Sequence, residues 1–360
     1  MNTKAVKLLS MSLAMGAVLT SSALRAQTPA QRFKDITIVV GSAPGGTMDV
    51  NARQIAQYMG RHLPGNPNVT VQNMPGGSGL VATNYISEAA KPDGQTLYYG
   101  VWFPVAQILK LPELKAHYDK LGIVGAGADT RAVVMRRDVK PHVDKPADLV
   151  KVDGFVVGST SSNGEQDLLN RMSLDLLGAK YKLVTGYGNG PAVDLAFVRG
   201  EVDFKNNSYA SIIRTLSNEI RDGKALPMYY YCSMDSSGVV HHADFTKDTP
   251  CYIDLYKEIY GKMPSGDLFE TLNFYTGMVT SMIYILAAPP GTPEALLGPM
   301  REAYVKATHE PGFSEFYVKQ TGYGPELASL DDAKRIMQSV ELIKPNAVAI
   351  LRKYYETGAR

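Results

Sequence analysis

Glycine, hydroxyl and asparagine residues recur in this sequence wherever an apolar strand-like run passes into a helical pattern, and there the backbone itself can bind an anion. The first such join is Gly41-Ser42-Ala43-Pro44-Gly45-Gly46-Thr47-Met48-Asp49, after the apolar run Ile36 to Val40. Free N–H groups at a helix start, with the positive end of the helix dipole, favour negative charge at such a place. Gly45 and Gly46 have no Cβ to hold a ligand off the backbone. Thr47 offers a hydroxyl or a cap. Asp49 reads differently, because an ionised carboxylate beside a bound anion would repel it; its expected role is to accept N–H bonds and hold the turn. No Lys-Ser/Thr pair follows the glycines, so this is not a P-loop. On its own the motif also fits a tight turn packed without a ligand.

Three further joins have the same character: Asn73-Met74-Pro75-Gly76-Gly77-Ser78-Gly79, Ser159-Thr160-Ser161-Ser162-Asn163-Gly164, and Tyr187-Gly188-Asn189-Gly190-Pro191. In doubly wound sheets these turns share the carboxyl edge of the strands, where ligands bind. Ligand contacts are therefore expected from Pro44, Gly45, Gly46, Thr47, Gly77, Ser78, Ser161, Ser162, Asn163, Tyr187 and Asn189, with Asp49 and Asn73 structural. Trp102 and Phe103 follow the third strand on the same edge and join the expected contacts. If they and Tyr187 face the cleft, a flat or aromatic ligand would fit; Trp102, the only tryptophan, is equally at home in a core.

Enzyme and metal chemistry find little support. There is no Gly-x-Ser-x-Gly elbow, and the Gly186-to-Gly190 run misplaces the third glycine of a dinucleotide turn. No metal-ligand spacing occurs, and His241-His242 reads as a solvated pair. Asp331-Asp332 reads as helix capping. No catalytic residue, metal or cofactor is expected. Cys232 and Cys251, the only cysteines, fit either a disulfide or two small buried side chains.

The elements that must position these turns alternate strand and helix, which argues for mainly parallel α/β sheets. Strands are expected at 36–40, 69–72, 96–101, 123–126 and 132–135. The helical stripe Ala52, Ile55, Ala56, Met59 and Leu63 follows the first of them. A second set holds strands 154–158, 182–185, 202–205 and 228–232, with helices 166–177, 191–199 and 210–221 between. Residues 233–262 resist assignment. An apolar run at 278–288 reads as a strand, and Thr292 as the cap of a helix with Pro293 at its first position. The chain leaves one domain (27–131), builds a second (132–232) and returns (233–360), a layout that sets a ligand between two hinged lobes.

Residues 1–26 stand apart. Lys4 and Lys7 precede an apolar run from Leu8 to Leu24, and Ala23 and Ala26 offer cleavage positions, the pattern of a secretory signal peptide. No cysteine lies near the cleavage region, so a lipid anchor is not expected. Loss of Lys4, Lys7 and Arg25 takes the net charge from +2 to about −1, which gives no support to nucleic-acid or membrane-surface binding.

The motifs together resemble a known family. Pro44-Gly45-Gly46-Thr47-Met48-Asp49, Pro75-Gly76-Gly77-Ser78-Gly79, Pro92-Asp93-Gly94-Gln95-Thr96-Leu97, Gly200-Glu201-Val202-Asp203 and Pro290-Gly291-Thr292-Pro293 are similar to the substrate-binding proteins of tripartite tricarboxylate transporters, the Bug family. The resemblance covers most of the chain after residue 26. It implies an α/β, two-lobed periplasmic binding fold (type II-like). It implies a periplasmic monomer that encloses a small carboxylate and delivers it to membrane transporter subunits; a di- or tricarboxylate is expected, or an aromatic acid if the aromatics named above face the cleft. A periplasmic sensor subunit and an enzyme using the same cleft are the alternatives. The family's second-lobe turn usually carries a histidine after its serines; here Glu165 and Gln166 stand there.

Overall fold

The computed structural model describes residues 33–358 apart from Phe245 and Lys247, so the signal-peptide reading of 1–26 lies outside the described residues. The strands in chain order are β1 (Ile36–Val40), β2 (Val69–Asn73), β3 (Thr96–Val101), β4 (Gly122–Gly127), β5 (Arg131–Arg136), β6 (Asp153–Gly158), β7 (Lys180–Val184), β8 (Phe204–Ser208) and β9 (Ala225–Tyr230). After them come β10 (Ser233–Met234), β11 (Val240–His241), β12 (Tyr284–Ala288) and β13 (Leu327–Ala328). Six form one sheet in the order β13-β4-β12-β3-β1-β2; five form another in the order β7-β6-β8-β5-β9. β2, β1 and β3 run parallel, as do β7, β6 and β8; β12 is antiparallel to both neighbours, and β5 to β8 and β9. This is the mainly parallel α/β architecture expected.

Burial explains the apolar runs. β1 is covered on both faces, and Ile36, Ile38, Val39 and Val40 are essentially inaccessible; each such side chain contributes about 1.5–3 kcal/mol on burial. The helix Thr47–Met59 lays Ala52, Ile55 and Met59 against it, the stripe read from the sequence.

The chain crosses from the first sheet to the second through only Ala128-Asp129-Thr130, between β4 and β5. It returns through 231–283, which contains residues 233–262, the stretch that resisted assignment. The return segment holds the small ribbon β10–β11 and the helices Tyr252–Tyr260 and Asp267–Ser281. A disulfide joins Cys232 to Cys251 with the Cα atoms 5.7 Å apart, and the Tyr230 N–H donates to the Pro250 carbonyl at 3.0 Å beside it. Residues 278–281 correct the sequence expectation: they end a helix, and the strand begins only at Tyr284. An apolar run buried from all sides has the same pattern in either conformation. The helix Glu294–Thr308 takes Pro293 rather than Thr292 as its cap; the Thr292 hydroxyl donates back to Pro289 instead. Among the described residues no helix is long and apolar enough to cross a membrane.

Candidate functional site

β1 delivers the first turn into a helix start that no side chain caps: Gly46 is extended (φ −74°, ψ 169°) and Gly45 takes φ +84°. The N–H groups of the opening turn therefore have no acceptor within the helix. The buried Asp49 carboxylate fixes the turn from beneath. It accepts the Gly45 N–H (2.9 Å), Arg53 Nε (3.1 Å) and Asn73 Nδ2 (2.9 Å), and Arg53 also pairs with its other oxygen. Burial alone would raise the Asp49 pKa, but the bonds from Arg53, Gly45 and Asn73 outweigh it and hold the group below its ordinary value. Asn73 also donates to the Ser42 carbonyl at 2.9 Å, tying β2 to the first turn.

The second turn follows at once. Gly76, Gly77, Ser78 and Gly79 all have positive φ, a path that only a glycine-rich segment takes at low cost. Its backbone lies directly against the first turn: a Cβ on Gly41 would stand 3.1 Å from the Gly79 Cα, and one on Gly79 would stand 3.2 Å from the Phe103 ring. The third and fourth turns are joined in the same way, the Gly188 N–H donating to the Thr160 carbonyl at 3.2 Å. Gly164 leaves the helix Glu165–Leu176 without a side-chain cap, whereas the Asn189 side-chain Oδ1 caps Gly190–Arg199 by accepting the Ala192 N–H at 2.9 Å.

All four turns line one cleft of about 490 Å³ between the sheets. Of the expected contacts, Gly45, Gly46, Thr47, Gly77, Ser78, Phe103, Ser161 and Asn189 lie in its wall. Pro44, Ser162, Asn163 and Tyr187 do not. Ser162 is packed against the last described helix, Pro345–Gly358, where a Cβ on Gly358 would overlap its carbonyl. Tyr187 is half-buried against the core, and burial together with Glu201 raises its hydroxyl pKa. Trp102 needs correction as a contact. It is fully buried, its indole N–H donates to Gln107 Oε1 at 3.1 Å, and its backbone N–H donates to Ile283. It is a core residue.

The sequence reading missed a fifth join and the charged side chains. β8 runs to Ser208, three residues beyond the expected end at Lys205, and delivers Asn207, Ser211, Arg214 and Thr215 to the cleft. Lys205, Asn206 and Asn207 are polar yet buried in a strand, against the hydrophobic pattern that marks one. The signal was there in the strand–helix alternation, since helix 210–221 required a turn before it.

Arg131 and Glu165 also line the cleft. Arg131 is buried and pairs with Asp129 at 3.2 Å and Glu165 at 3.0 Å; Tyr284 donates to Asp129 at 3.0 Å. Burial lowers the Arg131 pKa, but Glu165 and Asp129 more than reverse that, so it stays charged. Burial pushes Asp129 up to about 7 despite Arg131, and raises Glu165 as well. Glu326 accepts both the N–H and the hydroxyl of Thr130, anchoring the crossover.

No protein-family model matches the chain. Among curated proteins, it is 31% identical over 179 residues to a UPF0065 protein encoded in the TAR-I ttuE-ttuC' intergenic region of Agrobacterium vitis. That match takes in 47% of the chain and about half of the relative, 49%. A UPF0065 protein of Bordetella pertussis (strain Tohama I) is 25% identical over 317 residues, 85% of each chain. Among solved structures, the periplasmic binding protein BugD superposes with a TM-score of 0.64 at 19% identity, covering 89% of this chain and 97% of its own. The chain has the fold of this periplasmic binding protein. Another structure with the Bug fold, MatC of Rhodopseudomonas palustris with bound malate, matches with a TM-score of 0.61 at 20% identity, over 90% of this chain and 99% of that one. Against the Bug resemblance drawn from sequence, Glu165 in place of the usual histidine is now accounted for as the partner of Arg131.

Proposed function

We propose that the protein is an exported solute receptor that captures a small carboxylate between two lobes, residues 27–131 with 233–360 and residues 132–232, and presents it to membrane transporter subunits. One observation carries this reading: strand-to-helix turns from both sheets line a single cleft of about 490 Å³, and turns of this kind offer backbone N–H groups to an anion. The volume suits a small organic acid. The malate held by a structure of the same fold supports the ligand class. A carboxylate that contacts both lobes favours the closed arrangement by the difference in its affinity for the two states, and a transporter that reads closure would take up only the loaded form.

The test is a thermal-shift screen of the purified chain against di- and tricarboxylates, aromatic acids, sugars and cations, since a ligand that binds only the folded state raises the melting temperature. Carboxylates should be the class that stabilises. Gly46→Val supplies the site test. Its φ is one any residue adopts, and a Cβ there meets nothing closer than 3.7 Å, so the variant should fold normally while its side chain fills the cradle. Undiminished carboxylate affinity in folded Gly46→Val removes the turn from the site.

A further inference from the structure

The charged side chains of the cleft differ in what they can still offer. Arg131 is held from two sides by Asp129 and Glu165, and its charge is spent within the protein. Arg214 is not held. It is half-buried, it lines both the cleft and a smaller pocket behind it, and it makes no hydrogen bond or ion pair with any described residue. A guanidinium partly withdrawn from water without a facing anion is less favourable than one that has such a partner. The lowered pKa of Arg214, caused by burial, reports that cost. Its fork of donors matches a carboxylate edge-on.

Its place in the fold says which end of a ligand it would meet. Arg214 is on the helix Tyr209–Arg221, directly after β8 of the second sheet, with Ser211 and Thr215 beside it in the cleft wall. The Gly45-Gly46 and Gly77-Ser78 turns belong to the first sheet. An acid that satisfies both must carry negative charge at two places. We infer that Arg214 receives the second carboxylate of a dicarboxylate whose first carboxylate lies on the glycine turns. This rests on the carboxylate reading above and narrows it.

Isothermal titration of the purified chain with the straight-chain dicarboxylates from succinate to pimelate, each beside the monocarboxylate of equal length, tests the inference. At least one dicarboxylate should bind about 10- to 100-fold more tightly than its monocarboxylate, the range expected of a charge-assisted bidentate contact. Arg214→Met should abolish that gap by weakening the dicarboxylate alone, and Arg214→Lys should keep part of it. Arg214 has no bonded partner to lose, so the melting temperature without ligand should hold; if Arg214→Met does not fold, Arg214→Lys carries the comparison. A gap that survives Arg214→Met, or that Arg214→Lys leaves undiminished, overturns the inference, as does a wild type that binds both acids equally. In that second case carboxylates still bind and the broader reading stands; if neither class binds the wild type, both fall together.

Discussion

Asp49 is the residue on which the shape of the anion turn depends. Asp49→Ala removes the acceptor of the Gly45 N–H, of Asn73 Nδ2 and of two Arg53 donors. The losses are unequal. The Arg53 side chain is half exposed and turns to water at little cost, and Asn73 keeps its bond to the Ser42 carbonyl. What remains is a turn N–H and an amide N–H stripped of a charged acceptor, at about 1–1.5 kcal/mol each. Stability should therefore fall by roughly 2–3 kcal/mol, or about 3–4 °C in a chain of this size, and carboxylate affinity should fall with it as Gly45 loses its anchor. Asp49→Asn keeps the shape and one acceptor, and should cost about half as much. The sign with pH follows from the depressed pKa. The native carboxylate holds its proton less tightly than the unfolded one, so this stabilisation is complete above the ordinary value of 3.8 and is lost as pH falls through the native pKa. Urea titrations at pH 7, 4 and 3 measure both effects. An Asp49→Ala protein within about 0.5 kcal/mol of wild type at pH 7 refutes the argument, as does an Asp49→Asn protein with the wild-type slope below pH 4.

Two further outcomes bear on the fold around the site. Asp129 has the opposite sign: its pKa rises from 3.8 to about 7 on burial, so the native state binds the extra proton. Its contribution falls by up to roughly 1.4 kcal/mol per pH unit as pH rises through that window. Asp129→Asn should flatten the stability profile between pH 5 and 7, and an unchanged profile in urea titrations would remove Asp129 as its source. The Cys232–Cys251 bridge spans 19 residues, so replacing both cysteines by serine should cost about 3 kcal/mol by the loop-closure argument; a loss under about 1 kcal/mol in chemical denaturation would show the bridge adds little.

Much of the scaffold was legible in the sequence because alternation of strand and helix is written in short-range patterns. β1 and β3 fall where the apolar runs put them, and the role given to Asp49 followed from charge alone. What stayed hidden depends on long-range packing. Trp102 follows a strand on the ligand edge, yet Gln107 and the backbone of Ile283 turn it inward; no local pattern distinguishes the two directions. Arg131 and Glu165 lie 34 positions apart in the sequence and meet only through the fold. Arg214 is inconspicuous in a polar helix; it becomes conspicuous once the fold sets it in the cleft wall without a hydrogen bond or ion pair to any described residue.

The bridge between Cys232 and Cys251 has a meaning apart from its energy. The chain between those residues is an excursion closed at its neck, where β9 ends and the next helix begins. Val239, in the turn of the ribbon, is exposed, while Met234 at its base is bonded to Asn273 of the helix Asp267–Ser281. A segment tethered at its root can be lengthened, shortened or rewritten by evolution while the two ends stay in register with the sheet. The same anatomy makes the tip of the ribbon a natural place to graft a reporter dye or a docking peptide.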